Sequence, residues 1–506
     1  MHTKFLKTFQ NLNKSRSVSL AKPRSTKIDK GSFVANVYTD KDAMKRDIET
    51  VGLPVEYFNT YINEKKLSNF SLLNESGLGF WYTMNMETAS TAVQRRKKFR
   101  EACEFFVSTA VSQKASSAVF RLHSEDAMDL KQTLVYLEYL NHKFTWLKKE
   151  EEKDLFIDNI VLETSVELPD DELSKLNAAF NAKNVARDML NMRSDSMTPQ
   201  SFIDIAKMFA EQANLPFKSF VDSQLADEGL NLIYNVGKGS VHHPGMLVIE
   251  YKGDQASDKY TGLIGKGVTY DTGGYNIKPS GFMEDMHTDK GGACATFGAF
   301  CAIVNHKLPV NVVLCIPLAD NAVDGKAYKP GEIIKSHFGL SVEITNTDAE
   351  GRLLLCDAMS YVQSKYNTSH IIELSTLTGA VIAALDRDHA GLFSNDEEII
   401  SDMKNSGQLY GEDVWHMPLS DKISNRLKGG VSDLVNSSRN KYGGAIEAAE
   451  YLHYFVKDGV KWAHVDIAGM AIDDTIKYNK GNKPVGSGFG VGLLIDYFTK
   501  MSSKSN

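Results

Sequence analysis

Asn346-Thr347-Asp348-Ala349-Glu350-Gly351-Arg352-Leu353 places two carboxylates and a guanidinium between an alternating stretch that ends near Ile344 and a run with helical spacing, Leu353, Leu354, Leu355, Ala358, Met359 and Val362. The segment reads as a strand-to-helix junction, and open α/β sheets place their ligand sites beyond the carboxyl ends of their strands. About eighty residues upstream lies Gly265-Lys266-Gly267-Val268-Thr269-Tyr270-Asp271-Thr272-Gly273-Gly274, followed by Lys278 and by Met286-His287-Thr288-Asp289-Lys290-Gly291-Gly292. Brought together, Asp271, Asp289, Asp348 and Glu350 would repel one another and raise one another's pKa values unless cations neutralised them. Predominantly oxygen ligands suit Mn²⁺, Mg²⁺, Co²⁺ or Zn²⁺. No His-Glu-x-x-His occurs among the thirteen histidines, which excludes a zincin-type site. The Gly-Lys-Gly stretch lacks the G-x-x-x-x-G-K-[ST] pattern of a phosphate loop, so its glycines read as tight turns beside ions.

The rest of the chain indicates an α/β protein of two domains, a smaller N-terminal α/β domain and a C-terminal domain with a mainly parallel sheet flanked by helices. Residues 1–30 form a basic tail. From 31 to 170, strand-like pieces (Ser117 to Leu122, Asn159 to Glu163) mix with helical ones (Ala92 to Ser112, Met128 to Leu147), and the charged run Lys148 to Lys153 reads as solvated surface. Residues 171–199 hold a connecting helix, Asp171 to Asn191, and a turn. Across 200–506, strands at Gly245 to Tyr251, Tyr260 to Thr269, Val310 to Leu318, Ser341 to Thr345, His370 to Ser375 and Trp462 to Ile467 alternate with helices such as Ala293 to Val304 and Ala445 to Val456. That alternation implies parallel strands with helices on both faces.

With 506 residues, 42% hydrophobic and 24% charged, the chain is long enough for a large core and ordinary in composition. No apolar run reaches the ~18 residues a membrane span needs. Five scattered cysteines without C-x-x-C spacing indicate neither a disulfide framework nor a thiolate metal site, and they point to an intracellular protein. A formal charge of -7 and pI near 6.0 leave no basic footprint for nucleic acid. Residues 1–28 depart from this balance: they carry seven bases and no acid, so without them the charge is -7 - 7 = -14. Phe5, Leu6, Phe9 and Leu12 share one helical face, the composition of a mitochondrial transit peptide. A solvated basic tail on a cytoplasmic protein is the other reading.

The N-T-D-A-E-G-R-L run and the preceding G-K-G-x-T-x-D-x-G-G run resemble the signatures of the leucyl aminopeptidase family of dinuclear metallopeptidases, with weaker agreement from about residue 170 to the C-terminus. The resemblance implies a catalytic metallopeptidase domain over 200–506 that releases N-terminal residues, leucine and similar apolar ones favoured, from peptide substrates. It implies two divalent ions, Mn or Zn with Co or Mg as further options. Asp271 and Glu350 would bridge them, Asp348 would hold one, and Lys266, as a neutral amine, and Asp289 would complete the other. Lys278 would polarise the scissile carbonyl, and Arg352 would hold a bicarbonate ion that relays a proton. Charge counting accommodates that anion: two divalent ions, four carboxylates, Lys278, Arg352 and a bridging hydroxide leave one positive charge. Asp289 would also hold the substrate's α-amine, Met286 and Ala468 would shape the pocket, and Leu377-Thr378-Gly379 would bind substrate backbone. Glu373 stands where the family commonly has Asp, and Ala471 where a second pocket methionine can occur, which leaves acidic, aromatic and dipeptide substrates open. The resemblance also implies a homohexamer built as a dimer of trimers. Some relatives bind DNA, which makes a nucleic-acid-binding regulatory role the alternative function.

Overall fold

The computed structural model describes residues 18–504, apart from 24–25, 27–31, 51–55, 57–58, 60–68, 75–76, 84–88, 116, 143, 145–156 and 474–484. The helical face at Phe5 to Leu12 and the charged run Lys148 to Lys153 lie outside the described residues.

The chain folds as two α/β domains. In the first, a six-stranded sheet runs in the order Val18–Ala21, Asn159–Glu163, Ser117–His123, Phe33–Tyr38, Gly77–Thr83, Asn69–Asn74, parallel except for the last pair. Every residue of Phe33–Tyr38 is buried, as a central parallel strand requires. Helices Ala92–Ser112, started by a Thr91/Gln94 capping box, and Ala127–Leu140, capped by Asp126, close its core. The second helix ends earlier than its apolar spacing predicts. Asn141 donates to the carbonyl of Ile157 at 2.9 Å, which draws the chain out of the helix.

Helix Asp170–Asn191 joins the domains and serves two cores, with Leu176 and Phe180 in the first and Ala182, Val185, Ala186, Met189 and Leu190 in the second. Its buried Arg187 donates to the carbonyls of Gly486 (2.9 Å) and Tyr139 (2.7 Å) and lies 4.2 Å from the Tyr139 ring centre.

The second domain is built on a nine-stranded sheet. Its order is Val414–His416, Ala390–Ser394, Lys461–Asp466, Thr368–Ser375, Tyr260–Gly265, Asn311–Asn321, Gly245–Lys252, Phe217–Val221, with Gly267–Asp271 paired to the far end of Asn311–Asn321. Its centre is parallel. One face is covered by helices Pro199–Gln212, Gly291–Asn305 and Val491–Lys504, and the other by Asn231–Gly237, Gly351–Lys365 and Gly444–His453. Among the described residues no helix is long and apolar enough to cross a membrane, and all five cysteines are buried and unpaired.

Two further elements differ from the sequence expectation, and both concern the site. The strand expected over Tyr260 to Thr269 is broken at Lys266: residues up to Gly265 pair with two neighbours, and pairing resumes at Gly267 with Asn311–Asn321 alone. Its backbone stays satisfied, because Lys266 N–H donates to Leu374 O (3.0 Å) and Lys266 O accepts from Ala293 N–H (2.8 Å). The strand leading into Asn346 is only Ser341–Glu343, and it belongs to a separate three-stranded sheet with Ile333–Lys335 and Leu434–Val435. The junction thus reaches the large sheet's carboxyl edge from the side.

Candidate metal centre and substrate site

At that edge Gly265, Leu374 and Val465 share one row of the ladder, so the residues just beyond them, Lys266, Ser375 and Asp466, emerge together. Asp271 closes the strand that pairs with Asn321. Asp289 and Glu350 lie immediately ahead of helices Gly291–Asn305 and Gly351–Lys365, which cover opposite faces of the sheet. Helix N-termini favour negative charge, so both carboxylates sit where their ionised forms are supported.

Thr347 fastens the two motif loops together. Its backbone N–H donates to Asn276 Oδ1 (2.8 Å), its hydroxyl donates to Gly273 O (2.7 Å), and Asn276 N–H donates to Thr347 Oγ1 (2.8 Å). Gly273, with φ +86°, is required here: a Cβ would stand 2.5 Å from Asn276 O and 2.9 Å from Asp348 Oδ1.

The structure brings six of the sequence-nominated groups into one cluster. Carboxylate oxygens of Asp271, Asp348 and Glu350 all lie within 4.8 Å of one another. Lys266 Nζ is 2.8 Å from Asp289 Oδ1 and 3.0 Å from Glu350 Oε1, and donates to Thr376 O at 2.8 Å. Lys278 Nζ lies 2.8 Å from Asp271 Oδ2 and 2.6 Å from Asp348 Oδ1. Lys266, Asp271, Asp289 and Glu350 are buried, and Asp348 and Lys278 are half-buried.

Burial and the neighbouring Glu350 push Asp271 up to about 7, against the pull of Lys278. Burial likewise raises Asp289 and Asp348. For Glu350 burial also acts upward, but Lys266 and Lys278 outweigh it and hold its carboxyl below the usual range. Burial opposes the charge on Lys266, yet Asp289, Glu350 and Asp271 hold its pKa above that of an ordinary lysine. Without ions Lys266 is therefore an ammonium, and acting as a ligand would require it to give up a proton.

The donor set fits divalent cations. Fully ionised, the four carboxylates would exceed the two ammonium groups by two negative charges in a buried space, a load that cations or protons must offset. Asp289 Oδ2 and Glu350 Oε2 are buried and accept no hydrogen bond.

Arg352 is directed elsewhere. Its Nη1 donates to Asn436 O at 2.7 Å and lies 3.8 Å from Glu447, while its buried Nε has no acceptor. Met286 opens the 3₁₀ turn that ends at Asp289 and is half-buried. Thr378 caps helix Gly379–Leu385 by accepting from Val381 N–H at 3.0 Å, Gly379 is exposed and Ala468 half-buried. Thr378 and Ala468 are joined through Asp466, whose carboxylate accepts from Thr378 Oγ1 at 2.7 Å and Ala468 N–H at 3.2 Å.

Three residues of the site carried no sequence signal. Asn321 donates to Asp271 Oδ1 at 2.8 Å and to Thr347 O at 3.0 Å, and so fixes the carboxylate's orientation. Thr376 donates to Asp289 Oδ1 at 2.7 Å. Asp466 is the third. The only available hint was that each follows or ends an apolar strand run.

Residues 184–495 match the cytosol aminopeptidase family, catalytic domain. A probable cytosol aminopeptidase of Aquifex aeolicus is 38% identical over 367 residues, 72% of this chain and 73% of that one. One from Brucella melitensis is 40% identical over 309 residues, 61% of this chain and 63% of that protein's length. Among solved structures, the bottromycin maturation enzyme BotP in complex with Mn superposes with a TM-score of 0.78 at 26% identity, covering 94% of this chain and all (100%) of that one. Leucyl aminopeptidase from Trypanosoma cruzi shares the fold with a TM-score of 0.83 at 22% identity, covering 98% and 99% of the two chains.

Proposed function

The chain belongs to the cytosol aminopeptidase family, and on that premise we propose that it is a metal-dependent aminopeptidase that releases N-terminal residues from peptides by two-metal hydrolysis, with leucine and similar apolar residues favoured. The observation that carries this reading is the buried cluster of four carboxylates and two lysines at the sheet's carboxyl edge.

In this proposal Lys266, Asp271, Asp289, Asp348 and Glu350 hold two divalent ions, Mn²⁺ or Zn²⁺ with Co²⁺ or Mg²⁺ as further options; BotP has been solved with Mn. Bound there, the ions supply Lewis-acid polarisation and an activated water. The chain's own groups do the rest. Asp289 holds the free α-amine of the peptide, which confines cleavage to the first residue. Lys278 donates from its ammonium to the carbonyl oxygen as negative charge grows on it. Burial lowers the Arg352 pKa without discharging it, and its unpartnered Nε supports the reading that it holds a bicarbonate, which can carry a proton to the leaving amine. Met286, Ala468, Thr378 and Gly379 contact the first residue and its backbone.

We extend the proposal to a homohexamer acting in the cytoplasm, with the domain boundary near residue 170 and the catalytic domain from 200. The leucyl aminopeptidase of Trypanosoma brucei has been solved with bestatin, so that inhibitor is a direct probe.

The test is a panel of aminoacyl fluorogenic substrates on metal-stripped protein reloaded with each ion in turn. Absence of hydrolysis with every metal would overturn the proposal. Glu350→Ala and Lys278→Ala should each lower leucine-anilide hydrolysis at least about 100-fold with unchanged circular dichroism; retained activity would reject those roles.

A further inference from the structure

Asp466 is fully buried at the end of strand Lys461–Asp466, and two of the three hydrogen bonds its carboxylate accepts come from Leu377 and Thr378, which directly follow Thr376 at the border of the cluster. Oδ1 accepts from Leu377 N–H at 3.0 Å and from Ala468 N–H at 3.2 Å, and Oδ2 accepts from Thr378 Oγ1 at 2.7 Å. One residue earlier the chain is tied the opposite way. The Thr376 hydroxyl donates to Asp289 Oδ1 at 2.7 Å and its carbonyl accepts from Lys266 Nζ at 2.8 Å. Thr376-Leu377-Thr378 is thus held between two carboxylates, Asp289 in front and Asp466 behind.

A carboxylate suits this post. Two oxygens can accept all three donors, and charge-assisted bonds of this kind are roughly twice as strong as neutral ones. An amide at the same place offers one acceptor oxygen and turns a donor toward the Thr378 hydroxyl. Behind Asp466 stands a second ionisable pair on paired positions of the same two strands, with His464 Nδ1 2.5 Å from Glu373 Oε1 and both residues fully buried. Phe393 stacks on the His464 ring, so the support beneath Asp466 is closely packed.

We propose that Asp466 is a positioning residue that sets where the Leu377-Thr378-Gly379 turn and Ala468 stand relative to Asp289, and so determines how tightly the first residue of a peptide is held. The inference rests on the reading of Thr378, Gly379 and Ala468 as substrate contacts. It assigns Asp466 no role in holding ions, which separates its loss from the loss of a ligand. A group that positions substrate contacts common to ground and transition states acts on KM, whereas a metal or oxyanion group acts on kcat.

The experiment is steady-state kinetics of the metal-loaded full chain with leucine anilide, together with metal content by mass spectrometry. Asp466→Ala should raise KM by about tenfold or more, with kcat within about threefold of wild type and metal content unchanged. Thr378→Val, which removes one of the three bonds, should raise KM less, and Thr378→Ser, which keeps the hydroxyl, should restore it. If Asp466→Ala fails to fold, Asp466→Asn decides the matter: a raised KM with kcat and metal content kept supports the inference, and wild-type KM overturns it. Loss of metal, or a fall in kcat alone, would also overturn it. Wild-type protein inactive on every substrate would instead overturn the functional proposal and this inference with it, whereas wild-type KM in an active Asp466→Ala variant overturns the inference alone.

Discussion

Replacing Gly351 with alanine sets two effects of opposite sign against each other. Gly351 opens helix Gly351–Lys365, and on helix propensity alone alanine would stabilise by at most about 1 kcal/mol. The new Cβ, however, would stand 2.4 Å from Lys266 Cε, 2.7 Å from Nζ and 2.8 Å from Cδ. Ordinary carbon contacts are about 3.5–4.0 Å, so the lysine must move by more than ~1 Å. Lys266 has no free direction, because Asp289, Glu350 and the Thr376 carbonyl fix its ammonium at 2.8, 3.0 and 2.8 Å. Overpacking of this kind costs about 1–3 kcal/mol, which cancels or exceeds the propensity gain. Displacing a group at the reacting centre by ~1 Å costs activity by ~100-fold. The expected result is a fall in kcat/KM for leucine anilide of about two orders of magnitude, with a melting temperature unchanged or a few degrees lower. A variant with kcat/KM within about threefold of wild type would refute the reasoning, since it would show that Lys266 can leave its three partners without consequence.

Asn321→Ala should weaken Mn²⁺ binding by ~10- to 100-fold, because it frees the Asp271 carboxylate to rotate; titration calorimetry checks it, and unchanged affinity would remove Asn321 from the site. The metal-stripped protein should lose stability as pH rises from about 4, the unfolded value for Asp, through the folded value of about 7 at Asp271. Asp289 and Asp348 shift in the same direction, and a carboxyl that binds its proton more tightly when folded favours the fold only while protonated. Melting temperatures between pH 5 and 8 test this, and a flat profile would contradict it. Arg187→Ala should destabilise by ~3 kcal/mol, since it leaves one buried and one part-buried carbonyl without this donor and opens a cavity beside Tyr139; an unchanged melting curve would show that the junction between domains does not depend on it.

The sequence made the regular elements readable where one period dominated. The helices Ala92–Ser112 and Asp170–Asn191 and the strand Asn159–Glu163 stand within a residue of their expected places. The six charged side chains of the cluster were legible because two compact motifs carry them. What escaped was long-range. Thr376 meets Lys266 across 110 positions, Leu377 meets Asp466 across 89, and Asn321 meets Asp271 across 50, so no local pattern could reveal them. The strand break at Lys266 was hidden for a related reason: Tyr260 to Thr269 alternates well enough for one strand, and only the partners on either side decide where pairing stops. Apolar alternation reports that a strand exists near Ser341–Glu343 and says nothing of which sheet accepts it, and the small three-stranded sheet does.

That break makes the chain between Gly265 and Asp271 a ruler. Gly265 is pinned to Leu374 on one side, Asp271 to Asn321 on the other, and the interval holds a fixed number of peptide units. The interval already carries one extra residue, a bulge at Thr269 between the paired Val268 and Tyr270, and one further insertion or deletion would shift Asp271 out of its place opposite Asn321. Variation in length must therefore be absorbed elsewhere, in loops such as that between Lys252 and Tyr260, while this interval admits changes of identity but none of length.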